Sequence, residues 1–229
     1  MFDIVLISAK SPMILGIYSN GGHANCKKDS KNNTTSMDSK AKDASLVASL
    51  SLDCQTSKAL PLAFGALLDG QAQDGHLKEG QKQEKLIKSL ESTKWHLNYA
   101  QSLDPKNRQS MKIASSAREA IEILSLVGLP RAIYYARGGG SLSALKLTHI
   151  FLQTLSIARG LPLHATNIFY FHKSNEIKAF GNQSFFYLNG ELSLKASQNP
   201  AIEAPCLPEI LKPWEFNEPL EPLYVTTAI

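Results

Sequence analysis

The sequence predicts an α/β layer fold built around a mixed β-sheet. Short β-branched, apolar segments open the chain, and helical patterns alternate with strand patterns further along. A glycine turn, Gly138-Gly139-Gly140, joins a predicted buried strand to a long predicted helix. Two short strand patterns follow near the end, separated by Asn189-Gly190, a strong hairpin signal.

The opening elements are predicted to form a hairpin and a third strand. Residues 3–9 and 13–18 are apolar and β-branched, and Lys10-Ser11-Pro12 separates them with a turn signal. Residues 45–52 alternate in polarity and predict a strand, although their Ala and Leu content also permits a helix. The polar residues 23–44 between them are interpreted as an insertion.

Three helices are expected in the middle of the chain. The first begins at Thr56 or Ser57 and carries Leu60, Phe64, Leu67 and Leu68 at helical spacing. The second begins after Ser116, ends before Gly128, and carries the stripe Ala117, Ala120, Ile121, Leu124 and Val127. Residues 71–112 between them are polar and are interpreted as a second, peripheral insertion, with a solvated helix possible near 83–99.

The glycine turn lies between a strand at 131–136 and the third helix, at 142–159, which Gly160 ends. A strand near 163–171 follows, then strands at 185–188 and 191–194. The last 34 residues, rich in Pro and Glu, are expected to be mostly extended.

Composition and charge limit the classes of protein. Cys26, Cys54 and Cys206 form no CxxC pair, which argues against a zinc ribbon and a disulfide framework. No apolar run approaches the roughly 20 residues of a membrane span, and the first apolar run is too short for a signal peptide, so we expect a cytoplasmic protein without a membrane partner.

Residues 130–195 hold seven Lys or Arg against two Glu, whereas residues 196–229 hold one Lys against five Glu. Mutual packing of these segments, or a simple balance of solvated surfaces, is favoured over an RNA-binding face, since no basic and aromatic cluster accompanies them.

The glycine turn is interpreted as a structural turn rather than a phosphate site. It lacks the GxxxxGK[ST] and GxGxxG patterns, and Ser141 stands where a P-loop has lysine. The glycines permit positive φ angles, and Ser141 is expected to cap the helix, although loop amides that hold an anion weakly stay an alternative.

No catalytic or metal-binding set is predicted. The six histidines are His23, His76, His96, His149, His164 and His172, and none is four residues from another. A triad through Ser141 is rejected because no GxSxG elbow surrounds it.

The segment Ala136–Lys146 resembles the GPGSFTGLR signature of the TsaB (YeaZ) family. Gly138, Gly140, Ser141 and Leu145 match outright, whereas Gly139 stands for the family's Pro and Lys146 for its Arg. Three further segments are similar to family patterns: Ser57–Leu62 to "HSxxLLPLI", Arg159–Leu163 to the end of "KGLALALGIPL", and Glu221–Val225 to "PxYLR".

The resemblance implies an actin/Hsp70-like, ribonuclease H-like lobe over residues 1–165 and a reduced second lobe over 166–229. It implies a non-catalytic subunit of the complex that makes N6-threonylcarbamoyladenosine in tRNA. Such a subunit binds a paralogous catalytic subunit, TsaD, through helices that correspond here to 57–69 and 142–159. The side chains expected at that interface are Leu60, Phe64, Leu67, Leu147, Phe151 and Thr154.

The resemblance also implies further partners. The small ATPase TsaE joins the pair, tRNA is reached through the complex, and a homodimer stays open. The stretch Ile7–Pro12, at the turn of the first hairpin, contains no acidic residue and lacks the family's Asp-Thr-Ser, so we expect no cofactor on this chain alone, with ATP and a divalent metal implied for the complex. Two alternatives are kept: an actin-fold ATP-dependent enzyme or M22-type peptidase-like protein, and a stand-alone RNA-binding module.

Overall fold

A computed structural model describes residues 2–9, 11–19, 43–68, 79–101, 110–179, 181–188, 191–197 and 204–223. Most of the insertion predicted at 23–44, the Asn189-Gly190 turn, Cys26, His23 and His76 lie outside these ranges. The helices are α1 (Thr56–Leu68), α2 (Glu79–Glu91), α3 (Ala117–Ser125) and α4 (Leu142–Arg159). The strands are β1 (Phe2–Ile7), β2 (Met13–Ser19), β3 (Ala44–Asp53), β4 (Lys94–Ala100), β5 (Met111–Ile113), β6 (Ile133–Arg137), β7 (Leu163–Asn167), β8 (Glu176–Lys178), β9 (Gln183–Leu188), β10 (Glu191–Ala196) and β11 (Ile210–Leu211).

The predicted α/β fold with a mixed sheet is confirmed. The main sheet has the order β5-β4-β3-β2-β1-β6-β7, and β11 pairs with the start of β3. From β5 to β1 each pair of neighbouring strands is antiparallel, whereas the pairs β1–β6 and β6–β7 are parallel. Residues 45–52 therefore belong to a strand, not to a helix.

Strand β1 is buried on both faces, which explains its uninterrupted apolar sequence. Ile4 and Leu6 contact the helical layer, whereas Val5 and Ile7 contact the opposite layer.

A carboxylate lies at the start of this strand. Asp3 is fully buried and accepts two hydrogen bonds from the Arg131 guanidinium, at 3.0 and 2.6 Å.

The helices cover one face of the sheet. Helix α1 lies centrally and packs against α2, α3 and α4, while α4 contacts α1 and β7. The predicted stripe of α3 is buried, and the Ser116 hydroxyl accepts the Glu119 N–H at 3.2 Å, as expected for a capping residue. Gly128 has φ +68, consistent with its predicted position after the helix.

The residues after 165 cover the other face of the main sheet. Strands β8, β9 and β10 form a small antiparallel sheet in the order β10-β9-β8. Ile177 and Phe185 from this sheet, with Phe169 and Phe171, pack on the main-sheet side chains of that face. Phe216 closes the layer, with ring centroids 5.0 Å from Tyr134 and 5.1 Å from Tyr170.

The interpretation of residues 71–112 as a peripheral insertion is wrong for the segment 79–100. Residues 94–100 form β4, which pairs with β3 over six residue pairs and extends the main sheet. Trp95, Leu97 and Tyr99 alternate with polar residues in this strand, a signal that the polar composition of the surrounding segment outweighed. A helix is present, but it spans Glu79–Glu91 rather than 83–99, and it is not solvated on all sides because Ile87 and Leu90 are buried in the helical core.

One further prediction needs correction. The strand near 163–171 ends at Asn167, whose side chain accepts the Phe169 N–H and starts a 3-10 helix over Ile168–Phe171. The described residues 204–223 are mostly extended, as predicted, and they include β11 in the main sheet and a short 3-10 helix over Pro213–Glu215.

Replacement of Phe64 by Ala should destabilise the chain strongly. The ring is 1% exposed and lies 5.4 Å from the Phe151 ring, so truncation removes buried area and leaves a cavity. We expect a loss of about 3–5 kcal/mol in the free energy of unfolding, measured by urea denaturation. The matched control is Leu126→Ala, directly after α3 and 71% exposed, which should change stability by less than about 0.5 kcal/mol. Equal losses in the two variants would contradict this assignment of the core.

Glu119 should contribute to stability in a pH-dependent manner. Hydrogen bonds from the Ser115 hydroxyl, the Ser115 N–H and the Tyr99 hydroxyl lower the pKa of this carboxyl to about 2. Because the folded-state pKa lies below the ordinary 4.5, the stabilisation is complete above about pH 4.5 and is lost as pH falls toward about 2.

The measurement is the difference in unfolding free energy between the parent and Glu119→Gln as a function of pH. The difference should shrink on acidification, and a constant difference between pH 6 and about pH 2 would contradict the argument. Glu122→Gln, on the exposed side of the same helix, controls for the loss of one negative charge.

Candidate functional site: the glycine loop and the outer face of α4

The glycine loop requires glycine at each of its three positions. Gly138 and Gly139 have φ of +87° and +66°, which side chains rarely adopt. A Cβ on Gly139 would lie 2.3 Å from Cγ2 of Ile168, and a Cβ on Gly140 would lie 2.2 Å from the carbonyl oxygen of Ala9. The glycines therefore provide both the turn and a close backbone approach to the end of the first strand.

The loop contacts the segment after β1 directly. The Ser141 N–H donates to the Ala9 carbonyl oxygen at 2.9 Å. An anion held between these two segments would have to occupy space that the backbone already fills. The residues here do not fit a nucleotide phosphate or its metal.

Ser141 occupies the N-cap position of α4, but its side chain makes no capping hydrogen bond, contrary to the prediction. The Ser141 carbonyl accepts the Leu145 N–H at 2.9 Å and begins the helical ladder. The loop geometry, and not the hydroxyl, therefore starts the helix. Gly160, with φ +65°, ends it as predicted.

A small apolar cleft lies beneath the loop, lined by Ile7, Ala9, Gly139, Ile168, His172 and Ile177 among others. It offers little more space than one water molecule needs. Its lining is almost entirely apolar, so it does not resemble the polar-anchored pockets that hold small-molecule ligands.

A buried hydrogen bond joins α4 to the end of β1. The Ser8 and Thr148 hydroxyls lie 2.7 Å apart, and both residues are at most 2% exposed. With Leu145 and Leu152, which are also buried, Thr148 identifies the inner face of α4. This pair sets the rotation of the helix about its axis, because a buried hydroxyl without a partner is costly.

The opposite face of α4 carries apolar side chains that the described residues leave uncovered. Leu147, Ile150 and Ile157 are 37%, 62% and 84% exposed, and Thr154 is exposed between them. These four positions are separated by three or four residues, so they lie in one stripe along the helix. We call the set Leu147, Ile150, Thr154 and Ile157 the outer stripe.

The predicted interface residues divide between core and surface. Leu60, Phe64 and Leu67 are 1%, 1% and 0% exposed inside the helical core, so they have no surface to offer a partner. Phe151 is half-buried against the Phe64 ring. Leu147 and Thr154 lie on the outer stripe, so the surface of α4, rather than that of α1, becomes the candidate.

The prediction missed Ile150 and Ile157, although the sequence contained a signal for them. A count of apolar positions at heptad spacing along 143–157 would have identified the outer stripe. The Ser8–Thr148 hydrogen bond had no such signal, because the two residues are 140 positions apart.

The titratable groups form no metal centre within the described ranges, where no three His, Cys, Asp or Glu side chains cluster. His164 stacks on Tyr134 with ring centroids 4.9 Å apart, and burial is the main cause that lowers its pKa. Cys54 and Cys206 are free thiols, and burial raises the pKa of Cys54.

Replacement of Gly140 by Ala should destabilise the junction of β1 and α4. The new methyl group would meet a backbone carbonyl, which cannot rotate away. We expect a loss of about 2 kcal/mol or more in the free energy of unfolding. The control is Gly80→Ala in α2, where an added Cβ has no neighbour within 4 Å and should not destabilise the chain. A stable Gly140→Ala variant would contradict the close approach.

No described helix is both long and apolar enough to cross a membrane. No model of a protein family matches the chain, and no curated protein or solved structure is significantly similar to it.

Proposed function

We propose that this chain is a non-catalytic, TsaB-like subunit that supports a TsaD-type catalytic paralogue in forming N6-threonylcarbamoyladenosine in tRNA. The observation that carries the proposal is the outer stripe of α4, an exposed apolar helix face immediately after the glycine loop. The proposal includes a cytoplasmic location and a TsaE-type ATPase as third component.

The strand order supports a ribonuclease H-like, actin-like lobe. Three antiparallel strands in the order β3-β2-β1 continue into two parallel strands, β6 and β7. Helix α4 connects β6 to β7, which is the position that the resemblance assigns to the interface helix. In this proposal the small sheet after residue 165 is the reduced second lobe, packed against the main sheet.

The outer stripe has the properties of a helix–helix contact. It covers about three helical turns of α4, and α4 lies beside α1 and β7 rather than between two helices. Apolar side chains at heptad spacing pack well against a similar helix of a partner. A stable interface of this kind buries roughly 1,600 Å² in total.

The contact between Ala9 and Gly140 favours a scaffold over a nucleotide-dependent enzyme. In this proposal the catalytic subunit supplies the ATP and metal chemistry, and the present chain supplies a rigid helix. The Ser8–Thr148 hydrogen bond and the glycine loop would hold that helix at one angle.

The test is co-expression of the chain with the TsaD-type protein of the same cell, followed by size-exclusion chromatography and measurement of Kd. The informative variant is Ile150→Asp, because Phe151→Asp would also disturb the Phe64 contact inside the core. A charge at the centre of the stripe should raise Kd by roughly 30-fold or more while the chain stays folded.

The matched control is Leu126→Asp, which adds the same charge at an exposed leucine directly after α3. It should leave the complex intact. Failure of the unaltered chain to form a complex, with the ATPase and ATP present, would overturn the proposal. A complex that Leu126→Asp disrupts and Ile150→Asp does not would overturn the assignment of the surface.

A further inference from the structure

The segment Phe216–Leu223, which we call the strap, runs beside β7 and over the end of β6. The Glu218 N–H donates to the Ala165 carbonyl oxygen at 3.1 Å in an antiparallel bridge. The Glu218 carboxylate lies 3.3 Å from Nε of Arg137. These contacts join the acidic end of the chain to its basic middle, which is one of the two arrangements that the charge distribution left open.

Two donors of β6 bind backbone carbonyls of the strap. Arg137 Nη1 donates to the Pro219 oxygen at 2.8 Å, and the Tyr135 hydroxyl donates to the Leu220 oxygen. Burial raises the pKa of Tyr135 to about 12, so its hydroxyl is protonated and donates at neutral pH. The Arg137 side chain is 11% exposed beneath the strap.

The strap also contacts the apolar core and the glycine loop. The Leu220 side chain packs against the helical core. A Cβ on Gly138 would lie 2.9 Å from the Cβ of Leu223, so the end of the strap lies against the loop. Phe216, 3% exposed, anchors the start of the strap.

The strap repeats its own sequence. Glu218-Pro219-Leu220 is followed at once by Glu221-Pro222-Leu223. The contacts use a Glu N–H, a Glu carboxylate, a Pro carbonyl, a Leu carbonyl and a Leu side chain, and the second triplet offers all five. Because the two triplets have the same sequence, a shift of the strap by one triplet brings the same groups to the same partners.

We propose that Tyr135, Arg137 and Ala165 form a peptide-binding groove whose ligand is an extended Glu-Pro-Leu triplet, and that either triplet of the strap fills it. In the structure the first triplet, Glu218–Leu220, fills the groove. In the alternative register the second triplet fills it, so that Glu221 takes the place of Glu218 and the first triplet bulges out after Phe216. Leu223 then leaves Gly138. The groove is independent of the proposed subunit function, since it involves neither the outer stripe nor a partner.

The test measures how well the strap covers Arg137 in the full chain. The rate of Arg137 modification by phenylglyoxal is followed by peptide mapping, with Arg131, paired with Asp3, as the internal reference. The variants are Glu218→Lys, Glu221→Lys and the double substitution, since a lysine repels the guanidinium. Glu209→Lys, at an exposed glutamate of the same region, is the control for charge reversal.

Each single variant should label within about twofold of the parent, because the other triplet fills the groove. The double variant should label about fivefold faster or more, a change of the size expected when one ion pair is lost. Near-ultraviolet circular dichroism checks that each variant is folded. If a lysine variant is not folded, the glutamine variant at the same position replaces it in the comparison.

Three outcomes would overturn the proposal. Fast labelling in Glu218→Lys alone means that the register is fixed and the repeat has no role. Fast labelling in Glu221→Lys alone means that Glu221 has another structural task. Unchanged labelling in the double variant means that the triplet's carboxylate does not hold the strap in the groove.

Discussion

The close approach of Gly140 to the carbonyl of Ala9 is the constraint on which the arrangement around α4 depends. The backbone of the glycine loop contacts the end of the central strand without an intervening side chain. This contact sets where α4 begins, and the buried Ser8–Thr148 hydrogen bond sets how the helix is rotated. The outer stripe faces away from the described core as a consequence.

The same contact gives the loop a structural role. A glycine turn between a strand and a helix is a common setting for a phosphate, because its amides point to one place. Here the Ser141 amide is directed at a carbonyl of the chain itself. The features that would otherwise suggest a nucleotide site therefore serve to present a helix.

The second layer follows from strand β1 being buried on both faces. An apolar sheet face needs a cover, and the residues after 165 supply it with aromatic side chains and a small sheet. The strap continues from this layer and reaches the glycine loop from the other side through Leu223. The loop is thus held between the first strand and the strap.

Local patterns identified much of the fold. Capping residues, apolar side chains at helical spacing and glycines at the helix ends predicted α1, α3 and α4. These signals depend only on neighbours within a few residues. Strand β4 was missed although Trp95, Leu97 and Tyr99 alternate with polar residues, because the polar segments around it dominated the interpretation, and its place in the sheet depends on pairing with β3. The hairpin and the parallel strand after α3 were predictable from their apolar runs alone.

The sequence by itself determined the α/β class, the central strand, the glycine turn and the bounds of the long helix. Only the tertiary structure decided which apolar face of α4 is covered, that Leu60, Phe64 and Leu67 belong to the core, and that the strap occupies a groove on β6 and β7. The reason is physical. Periodicity shows which residues share a face, whereas the partner of each face depends on contacts between residues far apart in the chain.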